Sequence, residues 1–176
     1  MRQHFQPDSE VVLAQAQAIP TAYAASSPGE FRYIHFAAHG TASRLSPLDS
    51  AVVLSPTSKE LGDFQLYARD IVQHPIDATL VTISACYGSG VRNYAGEGLV
   101  GLAWVFLRAG AHNVIAALWQ VADSASPLLM DQLYTELQAG KPPDEALRAA
   151  KLALIHSSRI YRKPLFWGAF QLYAGA

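Results

Sequence analysis

Cysteine is almost absent from this sequence of 176 residues, which contains only Cys86. A lone cysteine cannot form an internal disulfide, so a reducing, cytoplasmic setting is expected. A basic surplus is also lacking, because 13 Lys and Arg residues stand against 14 Asp and Glu residues, for a formal net charge of −1. Without an excess of positive charge to neutralise phosphate groups, nucleic-acid binding is not expected.

The sequence has no uninterrupted hydrophobic run long enough to cross a membrane. The N-terminal stretch MRQHFQPDSE lacks the apolar segment that is typical of a signal peptide. The most apolar tract, residues 98–121, is interrupted near its centre by Arg108, Gly110, His112 and Asn113. A buried helix, a turn and a buried strand explain this tract better than a membrane span. We therefore expect no membrane partner.

Hydrophobic residues make up 51% of the sequence, which suffices for one core in a chain of this length. Segments rich in Val, Ile and aromatic residues predict four strands, RYIHFAA, SAVVLS, ATLVTISA and HNVIAALW. Capping residues, N-terminal prolines and closing glycines predict helices over residues 66–73, 96–110, 126–140 and 142–157. This alternation predicts an α/β fold, a three-layer αβα sandwich with a mainly parallel central sheet.

Two reactive side chains follow predicted strands. RYIHFAAHG places His39 at the end of one strand, and ATLVTISAC places Cys86 at the end of another. If both strands are central and parallel, the two side chains emerge at the same edge of the sheet, where such folds bind ligands. A thiol and an imidazole there are a candidate nucleophile and base, because imidazole can remove the thiol proton or stabilise the thiolate. His35, on the preceding strand, is expected to be packed and hydrogen-bonded instead.

Glycines beside both residues fit the same chemistry. The backbone N–H groups of Gly40 and Cys86 could form an oxyanion hole, in which a donor typically contributes about 3 to 4 kcal/mol to transition-state stabilisation. Taken alone, however, a cysteine that ends an apolar strand is more often a small core residue than a nucleophile. The residues by themselves leave both interpretations open.

Five blocks of the sequence, taken in order, resemble a known family. They are YIHFAAHG, VTISACYGSG, GEGLVGLAWVFLRAGAHNVIAALWQVAD, AGKPPDEALRAAKLAL and PLFWGAFQLYAG. Together they resemble the CHAT domain, a caspase-like cysteine peptidase unit of clan CD that is related to separase and caspase. His39 also precedes Cys86 by about 50 residues, as in caspase-type chains. The resemblance implies a peptidase domain over residues 31–176, with residues 1–30 as an N-terminal extension or partial edge element.

The resemblance also implies roles for individual residues. His39 corresponds to the catalytic histidine, Cys86 to the nucleophile, and Gly40 to the glycine whose amide helps to form the oxyanion hole. LWQVAD is similar to a stretch of separases, which places Asp123 in a substrate-binding pocket for a basic residue before the cut. An aspartate before a helix is also a common cap, although Ser126 could fill that role. No metal or other cofactor is implied.

The implied substrate is a protein or peptide, and CHAT domains are often attached to tetratricopeptide repeats. A tetratricopeptide-repeat protein or another regulatory protein is therefore a candidate partner. The leading alternative is a catalytically silent caspase-like scaffold or partner-binding module. A dinucleotide-binding or phosphate-binding domain is disfavoured, because GSG and GEG do not form a GxGxxG motif directly after a strand.

Overall fold

A computed structural model describes residues 2–41, 43, 46–57, 63–84, 97–119 and 124–175. The strands in this part of the chain are β1 (Tyr33–Phe36), β2 (His39–Thr41), β3 (Ala51–Val53), β4 (Gln65–Tyr67), β5 (Leu80–Ile83), β6 (Asn113–Ala117) and β7 (Phe170–Ala174). The α-helices are α1 (Pro20–Ala25), α2 (Ala68–Ile71), α3 (Glu97–Ala109), α4 (Ser126–Gln138), α5 (Pro143–His156) and α6 (Pro164–Trp167). None of the helices described is long and apolar enough to cross a membrane.

The main sheet has the strand order β1-β5-β6-β7. β1, β5 and β6 run parallel, and β7 is antiparallel to β6. All four residues of β5 are buried, as expected for a central parallel strand that is covered on both faces. The predicted α/β class with a mainly parallel sheet is confirmed.

Helices cover both faces of this sheet. On one face, Val81 and Ile83 of β5 belong to a core cluster that includes Phe106 of α3. On the other face, Leu80 belongs to a second cluster with Leu133 of α4 and further residues of α5. Because successive side chains of β5 point to opposite faces, the core has one part on each face of the sheet. The sheet and the helices on its two faces form the three layers.

A second, smaller sheet has the order β2-β3-β4 and is antiparallel throughout. Two details of the sequence prediction were wrong here. The segment SAVVLS forms β3 of this small sheet rather than a strand of the main sheet. The segment RYIHFAAHG is not one strand, because β1 ends at Phe36 and His39 begins β2. The alanines between them continue the apolar pattern, so composition gives no sign of the break.

The helix predictions were largely correct. α3, α4 and α5 lie within the predicted ranges, each within three residues of the predicted ends. The range 66–73 instead divides into the end of β4 and the short α2. α1, α6 and β7 were not predicted as elements, although the sequence of β7 lies inside the last block of the family resemblance.

Candidate functional site

The candidate site lies at the carboxyl edge shared by β1 and β5. These strands are adjacent and parallel, with Phe36 paired to Ile83. The N–H of Ser84 donates a hydrogen bond of 2.8 Å to the carbonyl of Phe36, which extends the pairing to the end of both strands. His39 follows Phe36 by three positions and Cys86 follows Ile83 by three positions. Cys86 itself lies outside the described residues.

His39 is exposed at the start of β2, where it pairs with Val53 of β3. It lines a groove of about 1090 Å³. Ser84, the described residue nearest to Cys86 along the sequence, lines the same groove. The groove therefore reaches the ends of both segments that carry the predicted pair.

The hydrogen-bond pattern of the small sheet determines where the backbone of Gly40 points. The N–H of Leu54 donates to the carbonyl of Phe64 at 2.7 Å, so even-numbered residues of β3 bond to the β4 side. Gly40 lies opposite Val52, which is one of these even-numbered residues. Because backbone groups alternate in direction along a strand, the N–H and C=O of Gly40 point away from β3. This orientation leaves the amide of Gly40 uncommitted to the β2-β3 ladder.

Asp123, the predicted specificity residue, also lies outside the described residues. The helix that follows it begins at Ser126, and the residue in the N-cap position is Ala125. Ala125 has no side-chain oxygen, and no side-chain cap hydrogen bond is formed. The expectation that Ser126 caps this helix was therefore wrong, because Ser126 is its first helical residue.

His35 lies on the opposite side of the β1 pleat from Phe36 and packs against α4. Its Nδ1 is 3.1 Å from the hydroxyl of Tyr134, which donates to Oγ1 of Thr82 at 3.3 Å. Burial lowers the pKa of His35 to about 4 and raises the pKa of Tyr134 to about 12. His35 is therefore neutral near pH 7, and the expectation that it is packed and hydrogen-bonded is confirmed.

This polar chain could not be predicted, because Tyr134 lies 99 positions from His35 in the sequence. In addition, no group of three or more His, Cys, Asp or Glu residues within the described ranges is arranged to hold a metal ion.

Comparisons with known proteins identify the family of this chain. The family model described as CHAT domain matches residues 1–175. Tetratricopeptide repeat protein 28 of Mus musculus is 32% identical over 112 residues, which cover 64% of this chain and 4% of that protein. The protein of the same name from Homo sapiens is 30% identical over 112 residues, with the same coverage. The matched part is thus a small fraction of the length of these relatives. The chain belongs to the CHAT domain family, which is related to the caspase-like cysteine peptidases.

Proposed function

We propose that this domain hydrolyses peptide bonds with Cys86 as the nucleophile and His39 as its acid–base partner. The observation that supports this most is the parallel pairing of β1 with β5, in which Phe36 lies beside Ile83. The two proposed residues follow these paired positions at the same distance along the sequence. Parallel neighbouring strands that end in register direct the chain that follows each of them to the same edge.

The proposed reaction begins with attack of the Cys86 thiolate on the carbonyl carbon of the substrate, which forms a C–S bond. His39 holds the proton taken from the thiol and donates it to the leaving amine as the C–N bond breaks. Water then attacks the thioester, and the second product leaves as a carboxylic acid while the thiol is restored. His39 accepts the proton of this water.

The negative charge that develops on the carbonyl oxygen needs donors that are fixed before the reaction. The N–H of Gly40 is a suitable donor, because it points away from the ladder that holds β2 against β3. The N–H of Cys86 is the proposed second donor. Two fixed backbone donors stabilise an oxyanion without the reorganisation that water requires.

The proposed substrate is a polypeptide with a basic residue before the cut. The groove that His39 lines exceeds the range of about 300 to 1,000 Å³ that is usual for small-molecule pockets. The carboxylate of Asp123 would provide the charge that binds an Arg or Lys side chain. Replacement of Asp123 by Asn should therefore reduce the preference for Arg over Leu while the reactivity of Cys86 is retained.

A peptidyl acyloxymethyl ketone with Arg next to the reactive group tests this proposal. The expected result is covalent labelling of Cys86, abolished in Cys86→Ala and slowed by about a hundredfold or more in His39→Ala. His156→Ala is the matched control, because His156 is exposed at the end of α5 and should not affect labelling. The rate of labelling is measured by mass spectrometry of the intact protein.

Labelling no faster than that of a free thiol, and equal in His39→Ala, would contradict the peptidase proposal. It would favour the silent scaffold, in which the fold is retained for binding. That alternative draws support from the relatives, which are named as tetratricopeptide repeat proteins.

A further inference from the structure

The hydroxyl of Tyr134 connects three elements of the fold inside the core. Tyr134 belongs to α4 and is 1% exposed. Its oxygen lies 3.1 Å from Nδ1 of His35 on β1, and it donates a hydrogen bond of 3.3 Å to Oγ1 of Thr82 on β5. A tyrosine hydroxyl can donate one hydrogen bond and accept another, so it can serve both neighbours at once.

His35 and Thr82 occupy matched positions on the two strands. They are paired residues of the parallel ladder between β1 and β5, so their side chains point to the same face of the sheet. His39 follows His35 by four positions. Cys86 follows Thr82 by the same number of positions. The hydroxyl of Tyr134 therefore bridges the two strands at an equal distance along the chain from each member of the proposed dyad.

The ring of Tyr134 is held in place from several sides. Its centroid lies 5.7 Å from that of Phe5, 6.3 Å from that of Tyr33 and 5.8 Å from that of His35. Burial raises the pKa of Tyr134 to about 12, so its hydroxyl is protonated near pH 7. The bridge is thus a neutral hydrogen-bonding group on a ring that neighbouring aromatic side chains fix.

Backbone pairing alone does not determine the register of β1 against β5. After a shift of two residues the ladder can form the same kind of hydrogen bonds, and each side chain stays on its face. Such a shift would put Tyr33 or Ala37 beside Thr82. The hydroxyl of Tyr134 would then lose the imidazole of His35 as a partner, and an unpaired polar group in the core is costly. The bridge therefore favours the observed register over those with equivalent backbone pairing.

This choice of register matters for the chemistry of the proposed dyad. A strand advances by about 3.3 Å per residue, so a shift of two residues would move His39 by about 7 Å relative to Cys86. Proton transfer between a thiol and an imidazole requires a separation of about 3 Å. An error in register would therefore prevent proton transfer without unfolding the sheet.

We propose that Tyr134 is a positioning residue, whose hydroxyl holds β1 and β5 in the register that brings His39 next to Cys86. The part of this inference that concerns the dyad rests on the proposed function, whereas the part that concerns strand register is independent of it. Tyr134 acts through the two strands, because its hydroxyl contacts the residues four positions before the dyad.

Tyr134→Phe tests this proposal, because it removes the hydroxyl and keeps the ring. The pH dependence of Cys86 alkylation by iodoacetamide should change, with its inflection at least about half a pH unit closer to 8.5, the ordinary pKa of a thiol. Thr82→Val should have the same effect, and Thr82→Ser, which retains a hydroxyl, should keep the profile of the unchanged protein. Tyr134→Phe combined with Thr82→Val should give no further shift, because both remove the same bridge.

Hydrogen exchange of the Ser84 amide provides a readout that does not require a dyad. This amide donates a hydrogen bond of 2.8 Å to the carbonyl of Phe36, at the end of the ladder between β1 and β5. Its exchange, followed by NMR, should be at least about tenfold faster in Tyr134→Phe than in Gly140→Ala. Gly140 lies beyond the end of α4 with a φ of 86°, and an added Cβ would meet nothing within 4 Å. Gly140→Ala is therefore a control that lowers stability without affecting the bridge.

The two readouts separate this proposal from the proposed hydrolysis. An inflection near 8.5 in the unchanged protein would contradict the dyad, and exchange of the Ser84 amide would then decide whether Tyr134 holds the register. Equal exchange in Tyr134→Phe and Gly140→Ala would overturn the role in register. An inflection that moves in His39→Ala but not in Tyr134→Phe would overturn the role in positioning the dyad.

Discussion

At the scale of single residues, two imidazoles four positions apart have opposite environments. His39 is exposed and lines the groove, whereas His35 contacts the hydroxyl of Tyr134 and the neighbouring aromatic rings. The difference arises because β1 ends between them, so that His39 belongs to another sheet. Protonation of the packed imidazole of His35 carries a cost in stability, because burial lowers its pKa.

The burial of His35 predicts a specific dependence of stability on pH. Its pKa is about 4 in the folded protein and near the ordinary value of 6.5 in the unfolded chain. Between these values the unfolded chain binds a proton that the folded protein does not bind. The free energy of unfolding should therefore fall as the pH drops from about 6.5 to about 4, by up to about 3 kcal/mol. Above pH 6.5 this contribution should be constant.

Denaturant unfolding at a series of pH values measures this effect. His35→Gln should reduce the slope between pH 4 and 6.5, because Gln does not titrate and can still hydrogen-bond to Tyr134. The nearby contact between His4 and Asp131 is retained in this variant. His156→Gln, at an exposed position, should keep the slope of the unchanged protein. An unaltered slope in His35→Gln would contradict the assignment of this pH dependence to His35.

At the scale of elements, the sequence prediction places a glycine at the end of two helices, Gly110 after α3 and Gly140 after α4. The structure requires glycine at these two positions for different reasons. Gly110 after α3 and Gly140 after α4 have φ values of 117° and 86°, which disfavour other residues. A Cβ at Gly110 would lie 2.1 Å from the carbonyl oxygen of Ile76, whereas a Cβ at Gly140 would meet nothing within 4 Å. Gly110 is thus fixed by both conformation and close packing, and Gly140 by conformation alone.

This pair of glycines provides a matched prediction. Gly110→Ala should lower the free energy of unfolding by at least about 3 kcal/mol, because the methyl group would displace the backbone at Ile76. Gly140→Ala should cost only about 1 to 2 kcal/mol, the usual penalty for a left-handed conformation. Thermal or urea unfolding of the two variants measures the difference. Equal losses would show that the contact with Ile76 does not matter for stability.

Elements with strong local signals were predictable, and those that depend on distant contacts were not. α4 and α5 carry prolines at their starts, and a glycine follows α4, so their ranges follow from the sequence. β7 lacks such a signal, because its strand character depends on antiparallel pairing with β6. The same limit applies to the break between β1 and β2, where the backbone enters a second sheet without any change in hydrophobicity.

At the scale of the whole molecule, the sequence predicted the α/β class of fold with a mainly parallel sheet. It did not predict that β1 would lie at the border of the sheet, since strand order depends on contacts between distant segments. Nor did it predict that residues of α1, of α4 and of the segment 11–18 line the groove. The roles of Cys86 and Asp123, and the division at residue 30, stay predictions.

The proposed hydrolysis depends on Cys86 and His39 acting as a chemical pair. The most direct measurement is the rate at which iodoacetamide alkylates Cys86, followed over a range of pH in the unchanged protein and in His39→Ala. The predicted result is an inflection well below about 8.5, the ordinary pKa of a thiol, which moves up toward that value in His39→Ala. Superimposable profiles with an inflection near 8.5 in both proteins would contradict the proposed dyad.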